Sequence, residues 1–186
     1  MNKEIQQEQA LRLTKNWVEH FVVKHNLCPF AVKPLKENRI KYVAHMENDE
    51  EALARSLKDE ILFLKEAEVS ITETSIVVVP LMFGNFVDYN QYLDVVDSIL
   101  EELNVEGLIQ VASFHPEYQF ADLSVEDVRN YTNRSPYPMF HLIREESIEA
   151  ARNKMDTESI PDRNMDLLEG LGIDRVIEEL TSIENK

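Results

Sequence analysis

Apolar residues recur along the chain with two different periods, and the switches between them mark out the elements. From Lys3 to His25, Leu13, Trp17 and Phe21 fall at steps of four between polar neighbours, the spacing of a helix with one buried stripe and with Trp17 as a core anchor. Asn26 breaks that stripe. Asn26-Leu27-Cys28-Pro29-Phe30-Ala31 is then an apolar turn, because the residue before a proline is pushed out of the helical region. Cys28 is thereby expected just past a helix C-terminus.

Arg39 to His45 alternates as a strand, and a capping box at Asn48 and Glu51 opens a helix carrying Leu53, Leu57, Ile61 and Leu64 on one face. The run from Glu73 to Pro80 has a continuous β-branched centre, the pattern of a strand buried on both faces, so it is expected to lie centrally in a sheet. Leu81 to Val87 is a loop with Gly84 free to take a positive φ. Asp88 with Gln91 caps a further helix, whose face is Tyr92, Val96, Ile99, Leu100 and Leu103. Leu108 to Phe114 and Met139 to Arg144 are the third and fourth strands, separated by a connector with a short helix capped by Ser124 and Asp127. Helices are predicted over Glu145 to Lys154, from Pro161 to Leu171 with Gly172 as the stop, and from Asp174 to Ile183.

Strands alternating with helices predict a single α/β domain over residues 1–186, with frayed ends at about 1–8 and 183–186. Its architecture is a mixed sheet of about four strands with helices packed on it. A chain of 186 residues buries enough surface to fold without disulfides or a structural metal. The single cysteine and the absence of a charged-then-apolar leader pattern point to a cytoplasmic protein. The longest apolar run, Ile76 to Val79 with Leu81 to Phe83, is too short to cross a bilayer, so no membrane partner is expected.

The net charge of −16 argues against nucleic acid and anionic lipid surfaces, which both require a basic footprint. Acidic residues crowd the predicted helices, however, whereas Arg129, Arg134 and Arg144 gather between Ser113 and Glu145, which allows a local pocket for a small anion. A Walker A loop, a GxGxxG turn and a GxSxG elbow are all absent, and with four glycines there is no glycine-rich phosphate cradle. The sequence specifies no cofactor and leaves the oligomeric state open.

The stretch from Ser113 to Glu145 is the densest in chemistry. His115 follows a strand and precedes a proline, at the rim where α/β sheets deliver side chains to a crevice, and is a candidate acid or base; the alternative is a histidine tied to a nearby carbonyl. Arg134 and Arg144 carry the planar fork that grips carboxylate or phosphate, unless they are held in ion pairs with Glu117, Asp127 or Glu145. Asn133 and Ser135 flank Arg134 in a loop stiffened by Pro136 and Pro138. His141 shares a strand face with Met139 and Ile143, opposite Phe140, Leu142 and Arg144, and is either a ligand-binding residue or a satisfied core histidine. Cys28 is a nucleophile if its thiol is activated, and otherwise a packed thiol among Leu27 and Phe30. His115, His141 and Cys28 with Glu117 or Asp122 would make a zinc set, but no local ligand spacing supports one, and no metal site is expected.

Four segments together, Asn26 to Ala31, Gln110 to Phe120, Thr132 to Pro138 and His141 to Glu145, resemble the bacterial family called domain of unknown function 1415, over about Thr14 to Gly172. The resemblance implies that Cys28, His115, Asp127, Asn130, Asn133, Arg134, His141 and Arg144 lie in the family's hallmark segments, and it assigns a role to none of them. From the residues, the preferred expectation is an enzyme acting on a small anionic metabolite, with Arg134 and Arg144 holding the anion and His115 as acid or base. Cys28 would be a nearby nucleophile or the pocket wall. The alternative is a non-catalytic module for a small anion or a metal.

Overall fold

A computed structural model describes residues 2–153 and 156–184. Four strands, β1 (Ile40–Ala44), β2 (Thr74–Val78), β3 (Ile109–Phe114) and β4 (Met139–Arg144), form one mixed sheet in the order β1-β2-β4-β3. β1 and β2 run parallel, while β4 lies antiparallel between β2 and β3. β2 is buried throughout, as its β-branched composition requires of a strand covered on both faces.

Helices α3 (Glu50–Glu66) and α4 (Phe86–Glu102) cover one face, closing Leu53, Leu57, Ile61, Tyr89 and Val96 over Val77, Phe140 and Leu142. The other face carries α1 (Lys3–Trp17) with the segment that continues it to Val23, α6 (Ile160–Leu171) and α7 (Ile173–Glu184), which bury Trp17, Phe21, Leu168 and Val176 against Ile76, Val78 and Met139. Burying one such side chain contributes about 1.5–3 kcal/mol, so the two layers are the main source of stability. Two short helices complete the chain, α2 (Val32–Lys36) and α5 (Glu145–Arg152). No described helix is long and apolar enough to cross a membrane.

Several boundaries differ from the sequence pattern for local reasons. Asp49 rather than Asn48 caps α3, its carboxylate accepting the Ala52 N–H. Asn85 caps α4 by accepting the Asp88 N–H, so that helix starts before Asp88. The positive φ of the loop before it falls on Phe83, at 58°, and not on Gly84. Asp127 caps a short 3-10 turn at Val128–Thr132, whereas the Ser124 carbonyl receives the side-chain amide of Asn130. The predicted extension of α5 to Lys154 reaches beyond the described residues.

The first helix contains the departure that matters most. After Trp17 its hydrogen bonds widen to a π register over Val18–Val23, and the segment ends where Asn26 takes φ 52°. Val18, Phe21 and Val22 of this segment are buried and pack in the layer that covers this face of the sheet.

Candidate functional site

The π segment and the turn after it roof a small chamber over the middle of β4. Trp17, Val18, Val22, Cys28, Phe30, Ala31, Ile76, Phe114, Met139 and Ile143 supply apolar walls, and Thr74 and His141 supply polar groups. Its volume is about 70 Å³. β4 delivers His141 by alternation: Met139, His141 and Ile143 face this layer, while Phe140 and Leu142 enter the opposite core.

Thr74 fixes the imidazole. Its hydroxyl has a single proton, donated to the Leu142 carbonyl, so its 2.7 Å contact with His141 Nε2 has the imidazole N–H as donor. Nδ1 is then left as an acceptor, and it makes no hydrogen bond among the described residues. Burial holds the His141 pKa down at about 4, so the ring is neutral at physiological pH.

Cys28 lies on the same chamber, in the turn between the π segment and α2. Burial pushes its thiol pKa up, partly opposed by the neighbouring Ala31 and Phe30 backbone N–H groups, and the Ala31 N–H donates to the Cys28 carbonyl. The resting pair is therefore a thiol and a neutral imidazole, both facing a mostly apolar space.

The remaining candidates are placed elsewhere. His115 is 1% exposed, with Nε2 donating to the Phe83 carbonyl at 2.9 Å and Nδ1 accepting the Glu117 N–H at 2.9 Å. Both ring nitrogens are thus committed to backbone, and burial lowers its pKa. This geometry corresponds to the tied histidine rather than to a free acid or base. Arg134 donates to the Tyr118 and Val125 carbonyls and stacks over the Tyr131 ring, at 4.7 Å from its centroid. It lines a separate cleft of about 270 Å³ with Ser135, Tyr131 and Glu184, which His115 does not reach. Asn133 donates to the Ser113 carbonyl and Ser135 to the Tyr137 carbonyl, so both brace the loop. Arg144 points into the opposite layer, where it donates to the Ala67 and Thr72 carbonyls. Neither arginine takes the ion pair weighed from sequence; the acid beside Arg144 is Glu146, at 3.9 Å.

Three contributors escaped the sequence reading: Thr74, Val18 and Val22. Thr74 had a signal, a hydroxyl at the head of an otherwise aliphatic strand. Val18 and Val22 had none, because an α-helical stripe and a π turn share the same apolar residues at first sight. Among the described residues no three His, Cys, Asp or Glu side chains converge as metal ligands.

A family model described as "Protein of unknown function (DUF1415)" matches residues 9–178. No curated protein and no solved structure matches the chain.

Proposed function

Since the chain belongs to the family of proteins of unknown function DUF1415, we propose its function from the chamber itself: it is an enzyme that acts on a small molecule through the Cys28 thiol. The observation that carries this reading is the meeting of Cys28 and His141 on one cavity, with the imidazole proton fixed on Nε2 by Thr74. In the reacting complex Sγ forms a bond to an electrophilic acyl carbon of the substrate, and the thiol proton passes to Nδ1. The electron pair of the bond broken at that acyl carbon goes to the departing atom, which recovers the proton from the imidazolium; water, giving its proton to Nδ1, then attacks the same carbon, and the S–C bond breaks with its electron pair and that proton returning to Sγ. An unpaired cysteine in this role fits a reducing compartment.

The test uses the fact that the chain has one cysteine. Iodoacetamide should add once to the native protein, and His141→Gln should slow that addition by about a hundredfold, the lower end of what a positioned base contributes. Intact mass against time reads both rates. A native thiol that does not react, or one that reacts equally fast in the variant, would sink the proposal. The burial that raises the Cys28 pKa favours a second reading, in which the chamber binds its ligand without chemistry. An inert thiol together with saturable ligand binding would select it.

A further inference from the structure

The chamber opens into a wider groove, and the two together narrow the ligand. A dry apolar cavity of about 150 Å³ accommodates benzene, so the 70 Å³ here takes an aliphatic group of roughly two to three carbons. The groove, about 580 Å³, shares Phe30, Pro34, Glu73 and Ser147 with the chamber and adds Lys33, Arg39 and Glu146.

Most charge in that groove is already neutralised. Arg39 pairs with Glu37 and Glu73 and donates to the Val69 carbonyl. Glu146 stands 3.9 Å from Arg144. Lys33 is different: it is exposed on α2, one turn from Pro29 and Phe30, and has no acidic partner among the described residues. Ser147 on α5 is half-buried where groove and chamber join, and its hydroxyl also makes no hydrogen bond among the described residues.

We infer that the ligand of this site is a short-chain carboxylic acid, with a tail of two to three carbons in the chamber and its carboxylate held at the mouth by Lys33 and Ser147. This rests on the chamber being the ligand site; the acyl carbon that Sγ attacks then lies within the tail, and butanoate is its unreactive analogue. Val18 and Val22, neighbours one turn apart on the π segment, both line the chamber and form the wall that limits the length of the tail.

Trp17 is the sole tryptophan and lines the chamber, so its fluorescence reports occupancy. Butanoate should give a saturable change, and Lys33→Ala should weaken its binding by about threefold to fivefold, the contribution of one exposed charge. Lys33→Arg should retain it. Hexanoate, with a longer tail, should bind more weakly than butanoate in the native chain and recover in Val22→Ala. The inference is overturned if no acid gives a saturable change, if butanol binds as well as butanoate, or if Lys33→Ala leaves the affinity unaltered. None of these readings depends on thiol reactivity. A failure here with His141-dependent alkylation intact would overturn the ligand class alone, and the reverse result would remove only the nucleophile.

Discussion

The two faces of the sheet are built from the same four strands and differ in how completely they are covered. Under α3 and α4, side chains close against one another, and most polar groups among them are paired, Arg144 Nε and His45 Nε2 being left without a partner among the described residues. Tyr89 donates to the Met139 carbonyl, Ser75 donates to Glu60, and Lys41 pairs with Glu60. Under α1 and the π segment the layer is apolar too, yet it retains a chamber, a histidine nitrogen with no partner among the described residues, and a thiol. Interiors pack to near-crystalline density, so a void beside an uncommitted acceptor is a feature to be explained. The contrast teaches that the same sheet can be closed on one face and left incompletely packed on the other, and that the incompletely packed face is the one that holds the chamber.

That contrast can be broken first on the closed face. Phe140→Ala should lower unfolding free energy by about 3–5 kcal/mol in denaturant titration, because the ring is fully buried in the core under α3 and α4. A smaller loss would show that this layer is less tightly closed than described.

Acid should act on the open face. His141 takes up its proton near 6.5 when unfolded and at about 4 in the fold, so the unfolded state binds more protons across that window. Stability should therefore be complete above pH 6.5 and fall as pH drops toward 4, by on the order of 3 kcal/mol from this residue. His115 and His45, also held below their ordinary value by burial, shift in the same direction. The His141 share is thus the part of the slope that His141→Gln abolishes, and an unchanged slope would refute it.

His115→Ala should cost about 1–3 kcal/mol, since the Phe83 carbonyl and the Glu117 N–H both lose their partner, while alkylation of Cys28 proceeds at the native rate. A slowed alkylation with unchanged stability would return His115 to the chemistry. The smallest effects give the sharpest comparison. Val77→Ile on the closed face should destabilise by about 1–3 kcal/mol through overpacking. Val22→Ile, which adds the same group into the chamber, should be neutral or stabilise by up to about 0.8 kcal/mol while excluding butanoate. Equal melting shifts for the two would mean that the chamber does not distinguish the faces.

Much of the scaffold was legible because it rests on short-range pattern. The β-branched run around Val77 marked the central strand, and alternation along β4 assigned His141 and Arg144 to opposite faces. The site was legible only in part. Nothing local tells that Cys28 and His141 meet, since they are brought together by the packing of the π segment on the sheet. His115 stands at a strand rim as its position suggested, but its role is set by two backbone groups, one of them from the distant loop at Phe83. Arg134 likewise sits in the stiffened loop, and its fork is taken by carbonyls that the sequence does not pair with it.

The place of β4 in the sheet bears on how the chain is made. β3 has no strand neighbour other than β4, so on the ribosome the third strand emerges with nothing to pair with until Met139–Arg144 follows. Until then β2 also presents one open edge lined by Ile76, Val77 and Val78, a template for association with other chains. Completion of the sheet is therefore a late, non-local step, which slows folding and makes nascent or truncated chains ending before Met139 prone to aggregate.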